Sequence, residues 1–288
     1  MNVWLVGSRG MLGQAVEEQL QRREIEYFAS NSEINITDID SVQDFLAGCE
    51  LDWIINCAAY TAVDKCEDEQ EYAYRVNALG PHNLSSIAAQ KGASLVQIST
   101  DYVFDGTKQG EYFEDDIPNP LSVYGRTKLQ GEKFISNNMK EFIIIRTAWL
   151  YGHSGQNFVY TMLKLMNQRQ EIQVVNDQYG NPTYAPDLAE AIINMISCYQ
   201  PVYGIFHFSG SGECTWYDFA REIYRQGRDF GLISNECAIQ AVSSTQFLQK
   251  APRPQNSRLS KNKIADSHLV TIPQWDKSLK RFMLQERK

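Results

Sequence analysis

No run of about 18 apolar residues occurs in the chain, so a membrane-spanning helix is not expected. The opening Met1-Asn2-Val3-Trp4-Leu5-Val6-Gly7 has too short an apolar stretch for a signal peptide. Basic runs are missing as well, and the net charge is −8 over 288 residues. A nucleic-acid surface needs a clustered positive field, which argues against that function class. An anionic small ligand is not excluded, because a phosphate needs only a local cradle. The six cysteines, Cys49, Cys57, Cys66, Cys198, Cys214 and Cys237, form no C-x-x-C pair and no cluster with histidine. That argues against a zinc site or a disulfide framework and leaves reduced thiols in a cytoplasmic protein. His82, His153, His207 and His268 lack the spacing of metal ligands, and no metal is expected. Internal repeats, low-complexity tracts and disordered linkers are also lacking.

What is present is ordinary for a globular protein: 22% charged and 43% hydrophobic residues. The length suits one large domain, or a large domain with a smaller companion. Short apolar runs at 3–6, 25–29, 53–56, 95–99 and 142–145 read as strands. Helical patterns at 11–22, within 42–46, and at 72–90 and 125–135 alternate with them. That alternation predicts an α/β fold with a doubly wound parallel sheet and right-handed crossovers. After residue 148 the texture changes: helices at 157–167, 187–197 and 216–226, a polar loop at 176–182, a strand at 204–208, and a loop rich in proline and arginine at 251–258. The expected division is a dinucleotide domain over 1–148 with a return segment near 184–209. A smaller mixed substrate domain takes most of 149–288.

Gly7-Ser8-Arg9-Gly10-Met11-Leu12-Gly13 is a G-x-x-G-x-x-G loop between the first strand and the first helix. Such a loop turns tightly, brings backbone close to a pyrophosphate and packs the helix on the strand. The helix N-terminus supplies free N–H groups and a positive dipole end. The same glycines can make an ordinary turn, and it is the position at the first β–α junction that favours a dinucleotide. The second strand ends at Ser30-Asn31-Ser32, without the acidic residue that would hold a ribose 2′-hydroxyl. Arg9 could pair with a 2′-phosphate or be a solvated loop cation. The balance points to NADPH, with NADH tolerated.

Tyr124 and Lys128 are four residues apart in Y-G-R-T-K and share one helix face. Alone, such a pair is a common surface feature. A neighbouring cation, however, favours the phenolate and tunes the phenol for proton transfer. The fourth strand ends at Ser99-Thr100, beyond the carboxyl edge where open parallel sheets bind ligands. One of those hydroxyls could bond a carbonyl oxygen as it gains charge, and alternation does not say which. Hydride transfer to a carbonyl follows, with Tyr124 as proton donor and Lys128 supporting the phenol.

Longer segments carry a resemblance. They are Asn56 to Glu67 (N-C-A-A-Y-T-A-V-D-K-C-E), Ser99 to Asp105 (S-T-D-Y-V-F-D), Pro120 to Lys128 (P-L-S-V-Y-G-R-T-K), Arg146 to Tyr151, Asn176 to Thr183 and Arg253 to Leu259. Nearly end to end, the chain resembles the extended short-chain dehydrogenase/reductase family, in the branch that reduces dTDP-linked 4-keto-6-deoxyhexoses. The resemblance implies a Rossmann-type fold and NADPH-dependent reduction of the 4-keto group of dTDP-4-dehydro-L-rhamnose. It implies Thr100, Tyr124 and Lys128 as the catalytic residues. Gly7, Gly10, Met11, Leu12, Gly13, Ser30, Asn35, Ile36, Ala59, Tyr60 and Thr61 would hold the cofactor along with Tyr124 and Lys128. Thr100, Asp101, Trp149, Arg253 and Ser257 would contact the nucleotide sugar, with Lys65 and Arg258 as further candidates for its pyrophosphate.

Tyr102 stands where related sugar-nucleotide dehydratases have a glutamate in T-D-E, so water elimination loses its base. Asn35 stands near a place where the family often has aspartate, and Cys57 and Cys66 stand at common alanine positions. Asn77 falls on the long helix, where relatives use an asparagine to stabilise the site; helix packing is the other reading. A non-catalytic NADP-binding subunit, like the regulatory subunit of methionine adenosyltransferase, is the alternative from another class. An epimerase or a reductase of another nucleotide sugar is the third. A monomer or homodimer is expected, with a small-molecule substrate as partner.

Overall fold

The central strands are apolar on both faces, the pattern of a parallel sheet covered on both sides by helices. In β1 (Asn2–Val6), Val3 and Leu5 face one core and Trp4 and Val6 the other. The structure is a computed structural model that describes residues 1–247, 249–268 and 270–287; the side chain of His268 lies outside the described residues. From β1 the chain runs through α1 (Met11–Arg22), β2 (Glu26–Ser30), α2 (Ile39–Phe45), β3 (Trp53–Asn56), α3 (Val63–Cys66), α4 (Gln70–Tyr74), α5 (Gly80–Lys91), β4 (Ser94–Thr100), α6 (Val123–Asn138) and β5 (Phe142–Thr147). Next come β6 (Leu150–Tyr151), α7 (Phe158–Gln168), β7 (Glu171–Val175), β8 (Tyr179–Gly180), β9 (Thr183–Tyr184), α8 (Ala185–Ile196) and β10 (Gly204–His207). The chain continues with β11 (Cys214–Thr215), α9 (Trp216–Asp229), β12 (Ala238–Val242), α10 (Asn262–His268) and α11 (Trp275–Glu286).

Six strands pair in parallel in the order β10–β5–β4–β3–β1–β2. The fold is the expected α/β doubly wound, Rossmann-type sheet. The order reverses at β1, with β2 on one side and β3 on the other, and a crevice opens there beyond the carboxyl ends. α1 and α8 cover one face through Leu12, Val16, Leu20, Leu188, Ile192 and Ile193. α5 and α6 cover the other through Leu84, Ile87 and Ile135. A separate core of Val159, Met162, Met166, Phe219, Ile223 and Phe282 holds α7, α9 and α11 together. The short pairs β7–β12, β8–β11 and β6–β9 complete that lobe. Among the described residues no helix is long and apolar enough to cross a membrane.

Two departures from expectation bear on the site. The helix expected over 72–90 is interrupted: residues 75–79 form a π turn in which the Gly80 N–H reaches Arg75 O. Pro81 has no N–H for the Asn77 carbonyl, so the regular ladder cannot run through this point. The sequence reading also missed β7, β12, α10 and α11, and β10 adds a sixth strand beside β5.

α6 is set in place by its start and by two glycines. Ser122 caps it, its hydroxyl accepting the Gly125 N–H at 3.1 Å. A Cβ on Gly125 would lie 2.1 Å from Tyr102 O, and one on Gly131 would lie 2.4 Å from Asn77 O. The helix therefore presses directly against the end of β4 and against the π turn, and Tyr124 and Lys128 face into the crevice.

Candidate active site

Three cavities of about 420, 400 and 300 Å³ follow one another along the carboxyl edge of the sheet. The first two share Gly10, Cys57 and Ala59, and the last two share Tyr102 and Trp149, so they form one trench. Two larger hollows beside α9 hold none of the expected site residues.

At the first cavity the glycine loop is shaped by contact. Gly7 has φ +79°, and a Cβ there would lie 2.8 Å from Ala58 N at the end of β3. A Cβ on Gly13 would lie 2.1 Å from Gly7 O, so that glycine serves the packing of α1 on the loop. Gly10, Met11 and Leu12 line the trench at the N-terminus of α1. Asn31, Ser32, Asn35, Ile36 and Arg75 line its outer end, and no carboxylate does among the described residues. Asn35 accepts the Thr37 N–H and hydroxyl, which shapes the wall. Ser30, expected at the cofactor, is turned inward: its hydroxyl accepts the Trp4 indole N–H at 2.9 Å. Arg9 is exposed and does not line the cavity, whereas Arg75 does and was not singled out from the sequence.

Ala59 and Thr61 line the middle cavity. Tyr60, expected at the cofactor, lines none of the three cavities: its hydroxyl donates to Glu69 at 2.5 Å, and its backbone links the two lining residues. That backbone is gripped on both sides by Asn77, whose Oδ1 accepts the Tyr60 N–H at 2.8 Å and whose Nδ2 donates to Tyr60 O at 3.0 Å. The asparagine on the π turn thus fixes the loop that faces the reacting end of the trench. Cys57 lies beside it, its thiol pushed up to about 12 by burial, which makes it an inert side chain.

Thr100, Asp101, Tyr124 and Lys128 meet in the same cavity. The two strand-end hydroxyls separate clearly. Ser99 donates to Glu132, which also takes the Arg146 guanidinium in a fully buried ion pair at 2.7 Å. Both residues line the cavity, but it is the Thr100 hydroxyl that stands beside Tyr124; it donates to Asp101 Oδ1 at 2.9 Å and accepts the Tyr102 N–H at 3.1 Å. Burial pushes the Asp101 carboxyl up to about 6, against the opposing pull of the Ser257 and Thr100 hydroxyls. Lys128 Nζ donates to Ile98 O at 2.7 Å, and burial brings its pKa down to about 8, although the Glu132 carboxylate opposes the shift.

The phenol departs from expectation. Burial and the Asp101 carboxylate hold the Tyr124 pKa above its ordinary value, outweighing the hydrogen bond with Thr100 that lowers it. Lys128 is drawn to Ile98 O. The geometry maintains a neutral phenol, a proton donor, rather than a phenolate.

The third cavity brings Trp149, Arg253 and Ser257 together with Tyr102. Trp149 has φ +49°, and its indole stacks on Trp216 with centroids 3.6 Å apart, so one face is already covered. Trp216 was not identified from the sequence; as the first residue of an amphipathic helix it carried no separate signal. The Arg253 guanidinium lies 5.9 Å from the centre of the Tyr102 ring, which meets Tyr124 edge-on at 5.6 Å. Of the other cations expected there, Lys65 is exposed and lines none of the three cavities. Arg258 pairs with Glu213 at 2.7 Å and lies over Tyr179, away from the trench. His207 is buried and neutral, with Nδ1 3.2 Å from Tyr112 O, which fits a structural histidine in β10.

The RmlD substrate binding domain family matches residues 1–288. The spore coat polysaccharide biosynthesis protein SpsK of Bacillus subtilis is 41% identical, over 99% of this chain and 97% of that protein. The crystal structure of a dTDP-4-dehydrorhamnose reductase from Clostridium acetobutylicum is 38% identical with a TM-score of 0.94, covering 100% of both chains. A dTDP-4-dehydrorhamnose reductase from Bacillus anthracis, crystallised in complex with NADP, is 36% identical with a TM-score of 0.93, covering 99% of each chain. Matches of this identity over the full length, on a scaffold with this trench, lead to one family, and the chain belongs to it: the RmlD substrate binding domain family, alongside the dTDP-4-dehydrorhamnose reductases.

Proposed function

We propose that the protein reduces the 4-keto group of dTDP-4-dehydro-L-rhamnose to the alcohol of dTDP-L-rhamnose, using NADPH. The observation that carries this reading is the meeting of Thr100, Tyr124 and Lys128 between a dinucleotide-shaped cleft and a cavity whose charged lining residue is Arg253. The residues present fit the cofactor: the backbone at Gly7 is too close to Ala58 for a Cβ, and the α1 N-terminus opens onto the trench. Gly10, Met11 and Leu12 would hold its phosphates, and Ala59 and Thr61 its nicotinamide side. Arg75 and the lack of a lining carboxylate favour a 2′-phosphate at the outer end. When bound, NADPH supplies the hydride.

The chain's own groups manage the oxygen. Tyr124, neutral through burial, gives its proton to the carbonyl oxygen as negative charge develops there. Lys128, held by Ile98 O, offers positive charge to the phenolate left behind. Thr100 aligns the phenol; its own hydrogen is committed to Asp101 while that carboxyl is ionised. Tyr102 supplies no carboxylate, so no base for water elimination stands beside Asp101. Residues 1–148 with the return segment 184–209 form the cofactor unit, and most of 149–288 forms the substrate lobe. Free cysteines and a nucleotide-sugar substrate favour the cytoplasm, and the protein acts as a monomer or homodimer.

The test is product analysis after incubation with dTDP-4-dehydro-L-rhamnose and NADPH. A sugar nucleotide heavier by two hydrogens supports the reading. An isomer of unchanged mass would indicate an epimerase, and no product would favour a non-catalytic subunit; either overturns it.

A further inference from the structure

Arg253 is the charged side chain lining the third cavity among the described residues, and it sits on a loop. That loop is held from the opposite lip of the trench. Asp64, in α3, accepts the Ala251 N–H at 3.0 Å with one carboxylate oxygen and Arg253 Nη2 at 2.8 Å with the other. Lys250 pairs with Asp68 just past the same helix. α3 begins directly after Ala59–Thr61, the segment that Asn77 grips at the middle of the trench. One carboxylate therefore fixes both the main chain and the guanidinium of the substrate loop to the cofactor side. Arg253 also donates to Ala251 O at 3.3 Å, so two of its contacts are spent on holding its own pose. A guanidinium anchored in this way presents its remaining N–H groups in a fixed direction, which suits bidentate recognition of phosphate oxygens. Asp64 is half exposed, at 49%, while Arg253 is at 16%. A carboxylate left that open beside an anion site repels the ligand, so its benefit must come from geometry.

We propose that Asp64 is a positioning residue for the nucleotide sugar: it holds Arg253 so that the guanidinium meets the substrate's diphosphate. This rests on the nucleotide-sugar reading above. The experiment is calorimetric titration of the NADPH-loaded protein with dTDP, together with steady-state kinetics, for wild type, Asp64→Asn, Asp64→Ala, Arg253→Ala and the double alanine variant. Asp64→Ala should weaken dTDP binding and raise the sugar-nucleotide KM by about tenfold, the loss of one oriented charge-assisted contact. kcat and NADPH affinity should stay within about threefold, because neither depends on that contact. Asp64→Asn should fall between, since an amide oxygen still accepts the Ala251 N–H. In the Arg253→Ala background, Asp64→Ala should cost nothing further, as expected of a residue acting through its partner. Unchanged dTDP affinity in Asp64→Ala, or full additivity in the double variant, overturns the inference while leaving the function intact. A wild-type protein that does not bind dTDP overturns both.

Discussion

Tyr124 owes its role to burial as much as to its neighbour. Four-residue spacing placed the phenol and Lys128 on one helix face, and the structure turns that face into the trench, but the phenol pKa moves up rather than down because desolvation and Asp101 outweigh the Thr100 bond. Tyr124→Phe should lower kcat by about 10²–10⁴-fold with NADPH affinity retained, as for loss of a general acid; fluorescence titration and turnover read the two separately. Lys128 is active as a cation, and its pKa near 8 sets an alkaline limb: kcat/KM should decline as pH rises through about 8. A profile flat to pH 10 would contradict that role. The same depressed pKa is a stability statement. Between about pH 8 and the ordinary lysine value near 10.4 the unfolded chain binds more protons, so the group's penalty shrinks as pH rises and is full below 8. Lys128→Met should therefore unfold at a higher urea concentration than wild type at pH 7 while losing turnover, and a clear drop in midpoint would contradict a desolvated ammonium. Thr100 and Ser99 show what sequence could not resolve: adjacent strand hydroxyls look alike until α6 brings Glu132 up to claim Ser99. Ser30 failed for a related reason, because only the folded sheet brings Trp4 Nε1 to its hydroxyl.

The π turn at 75–79 is the element that ties packing to chemistry. It presents Asn77, whose amide satisfies both backbone groups of Tyr60. Asn77→Ala leaves the Tyr60 N–H without a partner and its C=O with only the weak Cys66 thiol donor at 3.8 Å, and should cost about 1–3 kcal/mol of stability, with kcat reduced more than NADPH affinity; wild-type stability by urea denaturation would contradict the grip. Long amphipathic helices such as α1, α7 and α9 were legible because their apolar residues recur at helical spacing. The π turn was not, since one widened turn leaves that spacing nearly intact. β7 and β12 were missed because Gln173 and Gln240 break each into fragments too short to read as an apolar run, and their pairing joins segments far apart in sequence. The Arg253 loop was legible through its motif, but Asp64, which holds it, gave no signal beyond being an acid inside the Asn56 to Glu67 segment of the resemblance.

At the scale of the whole molecule the two parts share one framework. α8 packs on α1 through Leu188, Ile192 and Ile193, and β10 closes the sheet beside β5. A fragment of residues 1–148 lacks both and exposes the apolar face of α1, so it should show no cooperative thermal unfolding by circular dichroism; a sharp transition would contradict this interdependence. The alternation of strands and helices gave the sheet away, whereas the return of the chain into it was only a local strand signal at 204–208. The trench lies between the two parts, with one wall from the carboxyl ends of the strands at Ser99 and Thr100 and the other from Trp149, Phe158, Trp216 and Arg253 of the lobe. The central claim is that this trench carries hydride to a sugar ketone while Tyr124 delivers the proton. The direct measurement uses NADPH deuterated at the transferring position with dTDP-4-dehydro-L-rhamnose. Deuterium should appear at C4 of the sugar for wild type, and about 10²-fold or more slowly for Tyr124→Phe. Label that stays on the cofactor, or a Tyr124→Phe variant that transfers it at the wild-type rate, would contradict the claim.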